Sequence, residues 1–160
     1  MTIAIGDRLP EATFRVLGSD GIETVTSSKV FGGKKVVLFA VPGAFTPTCH
    51  IKHLPGFVES AEEFKKEGVD TVACVAVNDP FVLGAWADAS GAKGKVLFLS
   101  DGNAEFTKAL GLELDATPFG MGLRAKRFAL VADNGKVTQL FIEAPGEFSV
   151  SSAESVLAAL

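Results

Sequence analysis

Residues Lys35–Gly56 read KVVLFAVPGAFTPTCHIKHLPG, and this stretch changes character twice. Val36 to Val41 is a continuous apolar run rich in β-branched and aromatic residues, the composition of a strand buried on both faces. Pro42 cannot donate a ladder hydrogen bond and ends it. Thr46 followed by Pro47 reads as a helix N-cap and its first residue, because proline at that position loses a donor that was unpaired anyway. Cys49 is then the third helical residue, among free N–H groups and the positive end of the helix dipole, which favour a thiolate over a thiol. A cysteine thus stands where a buried strand ends and a helix begins.

Working outward, Thr13 to Leu17 and Glu23 to Thr26 alternate around the turn cluster Gly18-Ser19-Asp20-Gly21, an N-terminal edge ribbon. Ser27 to Phe31 forms a short helix before Gly32-Gly33. The helix from Pro47 continues to about Glu67, with a kink or break expected at Pro55-Gly56. Val69 to Val77 is a second apolar run, and Asn78-Asp79-Pro80 caps the next helix, Phe81 to Ala89. Lys95 to Leu99 gives a third strand and Ala104 to Leu110 a third short helix. Strand, helix, strand, helix implies a right-handed parallel crossover. Arg127 to Ala132 and Lys136 to Ile142 flank Asp133-Asn134-Gly135, a strong hairpin signal, and Ser151 to Glu154 reads as a capping box opening a terminal helix. The expected fold is α/β and thioredoxin-like: a central mixed sheet built from a parallel βαβ half and a C-terminal β-hairpin, flanked by helices and extended by the N-terminal ribbon. Residues 1–160 form a single expected domain.

Composition excludes several classes. The net charge is −4 and the lysines and arginines are scattered, which leaves no electrostatic footprint for nucleic acid or an anionic membrane. No apolar run is long enough to span a bilayer. Residues 1–10 show neither a secretory signal nor the Arg/Ser richness of a transit peptide, so the expected location is the cytoplasm. Two cysteines are too few for a secreted disulfide scaffold, and with only His50 and His53 beside them they fall short of a structural zinc site.

The candidate residues carry different weights. Thr46 serves either as a plain N-cap or as a hydroxyl within reach of the sulfur, and the two uses are compatible. Cys74 sits inside the second apolar run and reads as a packed core thiol, about 10 Å below the edge that holds Cys49 at strand spacing; a disulfide between them requires the first turns of the helix to unwind. His50 and His53 read as surface or helix-packing residues, since two imidazoles alone are a weak metal signal. Arg124 stands just before the hairpin, where chain returns toward the Cys49 edge.

The segment Pro42-Gly43-Ala44-Phe45-Thr46-Pro47-Thr48-Cys49 resembles the peroxidatic-cysteine signature of peroxiredoxins. Lys52-His53-Leu54-Pro55-Gly56, Val77-Asn78-Asp79-Pro80-Phe81, Leu110 to Asp115 and Arg124 to Ala129 resemble the plant-like type II (Prx5-type) branch. The resemblance implies a thiol-dependent peroxidase that reduces hydrogen peroxide and small alkyl hydroperoxides through a cysteine sulfenic acid, with no metal or organic cofactor. Carried over by residue, Cys49 matches the peroxidatic cysteine, Thr46 the active-site hydroxyl, Pro42 the proline shielding the sulfur and Arg124 the arginine completing the set. Cys74 matches the second cysteine of plant-like members, the resolving residue of one recycling route that ends with thioredoxin. Direct capture by glutathione and glutaredoxin is the other route, and it is favoured because Cys74 reads as buried. A homodimer through the active-site edge is implied as well. His50 departs from the small polar residue usual there. Phe45 and Phe119 offer a weak hint of room for alkyl groups.

Two other classes compete. A Cys-His hydrolase or transferase lacks an Asn or Asp that the sequence places to orient the histidine. A redox sensor on the same fold is separated from a peroxidase by turnover.

Overall fold

The computed structural model describes residues 1–160. Its main sheet has seven strands: β1 (Thr13–Gly18), β2 (Gly21–Thr26), β3 (Lys35–Ala40), β4 (Thr71–Ala76), β5 (Leu97–Ser100), β8 (Phe128–Asp133) and β9 (Lys136–Ile142), in the order β2-β1-β5-β4-β3-β8-β9. β3, β4 and β5 run parallel, while β8 and β9 join beyond β3 as an antiparallel hairpin. The N-terminal ribbon extends the opposite edge through β1 on β5. Helices α1 (Ser27–Phe31), α2 (Leu54–Glu59), α3 (Ala61–Lys66), α4 (Pro80–Ala89), α5 (Glu105–Leu110) and α6 (Ala153–Ala158) flank it. This is the expected mixed α/β, thioredoxin-like arrangement.

The alternation of β3 shows why it is central. Val37, Phe39 and Val41 enter one core with Phe57, Phe64 and Trp86, while Val36, Leu38 and Ala40 enter the other with Phe14, Phe106 and Phe128. A period of two with both faces apolar requires cover on both sides. The hairpin turn follows its sequence signal: Asn134 (φ 50°) and Gly135 (φ 78°) are both left-handed, as a type I′ turn requires.

Three local expectations need correction, and one small sheet was not anticipated. The chain after Cys49 winds as a π-turn over Cys49–His53, with the Leu54 N–H donating to the Cys49 carbonyl. Pro55, which has no N–H to give the carbonyl four residues back, sits just beyond this widened turn, and the actual break falls at Ser60, between α2 and α3. The terminal helix is capped by Ser152, whose hydroxyl accepts from the Ser155 N–H, because the Ser151 side chain is fully buried and taken by Glu143. Finally, β6 (Glu113–Asp115) pairs with β7 (Leu123–Ala125) in a separate two-stranded sheet. Three-residue strands around the glycine-rich segment Gly120-Met121-Gly122 carry too little alternation to be legible. No helix is long and apolar enough to cross a membrane.

Candidate active site

β3 delivers the chain to Pro42, and the loop that follows is held tightly. The Ala44 N–H donates to Asn78 Oδ1 at 3.0 Å, which fixes the loop to the end of β4. Phe45 takes a left-handed φ of 63°, strained for an aromatic residue, and its ring lies over His50 with centroids 5.6 Å apart. The Thr46 hydroxyl donates to the Gly43 carbonyl at 2.6 Å instead of capping the helix. Its proton is committed, which leaves its lone pairs as acceptors. The His50 N–H donates to the Thr46 carbonyl at 2.9 Å, so the backbone still enters the helix at Thr46.

Cys49 is fully covered, and the group on its sulfur is Arg127, with Nη2 3.0 Å from Sγ. The expected arginine, Arg124, makes other contacts. Its Nε donates to the Met121 carbonyl at 2.8 Å and its Nη1 to the Pro42 carbonyl at 3.4 Å, which ties the loop from outside. Gly43 allows this approach, since a Cβ there would lie 3.2 Å from Arg124 Nη1. The hairpin register held the signal for Arg127: β8 runs antiparallel to β3 with Phe128 opposite Ala40. The residue before Phe128 therefore stands level with the end of β3, beside the reactive loop.

Both histidines pack against the fold, His50 half-buried and His53 completely. His53 is fully buried, its Nε2 2.9 Å from the Ser151 carbonyl and its Nδ1 2.8 Å from Arg127 Nη1. The carbonyl requires a proton on Nε2 and the guanidinium a lone pair on Nδ1, so the partners select one neutral tautomer. Burial is the main cause that lowers its pKa from 6.5 to about 3, with the Ser151 carbonyl opposing and the Arg127 charge adding. His50 Nδ1 accepts from the indole N–H of Trp86 at 3.0 Å. The two rings are thus turned to different partners, and no cluster of three or more metal-ligating side chains forms.

The His53 shift has a consequence for stability. Below pH 6.5 the unfolded chain protonates this histidine, whereas the folded state resists until about pH 3. Stability therefore falls as the pH drops through that window. The expected slope from this residue is on the order of 1 kcal/mol per pH unit, and Glu143, whose pKa is also lowered, adds to the loss only once the pH falls to the ordinary carboxylate value and below. Urea midpoints at pH 7 and pH 5 check it: His53→Leu flattens the difference, and an unchanged difference contradicts the assignment.

Cys74 lies opposite Phe39 in the β3–β4 ladder and shares a buried cluster with Cys49. Burial pushes its thiol well up, the Cys49 charge pushes the same way, and Arg127 opposes them. Both cysteines are free thiols.

This geometry can be set beside known proteins. The redoxin family profile matches residues 4–157. Peroxiredoxin-2E-2 of rice, a chloroplastic protein, is 54% identical over 99% of this chain and 73% of its own length. Peroxiredoxin-2B of Arabidopsis thaliana is 50% identical over 99% of this chain and 98% of its own. The crystal structure of reduced Prx3 from Vibrio vulnificus in complex with hydrogen peroxide superposes with a TM-score of 0.95, at 53% identity over 99% of both chains. With this agreement in sequence and fold, the chain belongs to the redoxin family as a type II peroxiredoxin, a thiol-dependent peroxidase.

Proposed function

We propose that Cys49 is the peroxidatic residue and that this enzyme reduces hydrogen peroxide and small alkyl hydroperoxides through a sulfenic acid at its sulfur. The observation that carries the reading is the guanidinium of Arg127 at 3.0 Å from Sγ, a fixed positive charge on an otherwise apolar, covered sulfur. In the reaction the Cys49 thiolate attacks the terminal peroxide oxygen, an S–O bond forms as the O–O bond breaks, and sulfur loses two electrons to the peroxide. The leaving oxygen departs as alkoxide or hydroxide and takes up a proton to become alcohol or water. Arg127 stabilises the thiolate and then the charge that spreads onto the O–O unit. Thr46, its own proton committed to Gly43, offers a lone pair to the peroxide O–H. Pro42 shields the sulfur from water, and Arg124 holds the loop in that position.

Recycling in this proposal uses an external thiol. Glutathione with glutaredoxin condenses with the sulfenic acid, releases water and leaves a mixed disulfide, which a second thiol opens. Attack by Cys74 followed by thioredoxin is the alternative; the buried, protonated state of Cys74 weighs against it. The exposed rings of Phe45, Phe81 and Phe119 around the reactive edge support a homodimer through that edge, and we place the enzyme in the cytoplasm. Peroxide consumption coupled to each reductant in turn tests the reading. Many turnovers per chain with glutathione and glutaredoxin are expected; one oxidation without cycling under every reductant assigns the fold to a sensor instead.

A further inference from the structure

One buried charge near the site has no counter-ion. Glu143 directly follows β9, and its side chain is 6% exposed. Its carboxylate accepts from five donors, all within three residues: the N–H and hydroxyl of Ser149, the N–H of Val150, and the N–H and hydroxyl of Ser151, at 2.7–3.3 Å. The only ion pairs of the fold are Lys65–Glu62 and Lys93–Asp88, so this carboxylate is held by main-chain and serine donors alone. A buried carboxylate without a cation is costly and persists only when its acceptor sites are filled.

The effect of these bonds is to fold residues 144–152 back against the site. Ser151 is thereby fully buried with its carbonyl 2.9 Å from His53 Nε2. Phe148, inside the same loop, packs its ring 4.9 Å from His53 and 5.8 Å from the Arg127 guanidinium. His53 in turn places a lone pair 2.8 Å from Arg127 Nη1, and the other arm of that fork meets the sulfur. The Glu143 N–H also donates to the Arg127 carbonyl at 3.1 Å, so main chain and side chain of one residue bracket the arginine. An arginine has many rotamers, and a catalytic group is useful only when its supporting shell leaves it one.

We infer that Glu143 is a positioning residue for the peroxidase reaction, acting through the Ser151 carbonyl and His53 to hold Arg127 against Cys49. The kinetic part of this inference rests on the proposed chemistry at Cys49; the geometric part does not. Glu143→Gln tests it, because either orientation of the amide turns an NH2 group toward N–H donors and opens the loop, while the backbone bond to Arg127 is untouched. The second-order rate constant with hydrogen peroxide is expected to fall roughly 10- to 100-fold. The pH profile of Cys49 alkylation by iodoacetamide is expected to move upward, since a displaced guanidinium no longer favours the thiolate. In a His53→Ala background, Glu143→Gln is expected to add no further loss.

A merely structural role would lower the melting temperature and leave the alkylation profile of the folded protein unchanged, and that result overturns the inference. Losses that multiply independently in the double variant overturn it too. Should Glu143→Gln not fold, Ser151→Ala removes one donor with the carbonyl retained; a smaller shift in the same direction is expected, and a wild-type rate and profile overturn the inference. If the wild-type protein consumes no peroxide, the peroxide chemistry fails and the alkylation profiles still decide the role of Glu143.

Discussion

Arg127→Gln is expected to lower the rate constant for peroxide reduction by about 100- to 1,000-fold, the usual cost of removing one preorganised charge-stabilising donor. Arg124→Gln is expected to lower it by less than about tenfold. The contrast follows from what each guanidinium touches. Arg127, itself half-buried, meets the fully covered Cys49 sulfur at 3.0 Å, where a charge-assisted bond is screened less than on the open surface. Its effect persists into the transition state, when charge moves from sulfur to the peroxide oxygens. Arg124 instead donates to the carbonyls of Met121 and Pro42, so its loss loosens a loop still held by Asn78 and by the Thr46–Gly43 bond. Stopped-flow fluorescence is a suitable measurement, since the sole tryptophan, Trp86, is hydrogen-bonded to His50 in the turn after Cys49. Equal losses in the two variants, or a larger one in Arg124→Gln, contradict the assignment.

Cys49→Ser is expected to lose peroxide turnover entirely, whereas Cys74→Ala retains cycling with glutathione and glutaredoxin. A serine hydroxyl at position 49 stays protonated near neutral pH and is a poor nucleophile toward a peroxide bond. Cys74 cannot take over, because burial raises its pKa and the sulfur is fully covered, so the thiolate needed for attack is scarce. For Cys74 to act as resolving residue, the π-turn that carries Cys49 has to open, and the Leu54 bond to the Cys49 carbonyl and the Trp86 bond to His50 hold it closed. Steady-state peroxide consumption with both reductants separates the routes. Turnover in Cys49→Ser contradicts the first expectation, and loss of glutaredoxin-supported cycling in Cys74→Ala contradicts the second.

The parts of the fold visible in the sequence were those with dense local signals. The all-apolar run of β3, the Asp79-Pro80 cap of α4 and the Asn134-Gly135 turn each combine composition with a required backbone geometry. The π-turn was not visible, because its widened hydrogen bonds answer to packing and to the missing N–H of Pro55 together. At the site, Pro42, Thr46 and Cys49 fall on one loop and could be read as a unit. The arginine could not be fixed by proximity to a motif: Arg124 and Arg127 lie three residues apart, and only the pairing of Phe128 with Ala40 decides which one reaches the strand end. His53 was underestimated for a related reason. Its burial depends on residues 148–151, about a hundred positions away, which Glu143 gathers over it.

Trapping the sulfenic acid tests the central claim most directly. Reduced protein treated with one equivalent of hydrogen peroxide in the presence of dimedone is expected to carry a single adduct, mapped by mass spectrometry to the peptide containing Cys49, with Cys74 unmodified. An adduct on Cys74 alone, or full peroxide consumption with Cys49 unmodified, contradicts it.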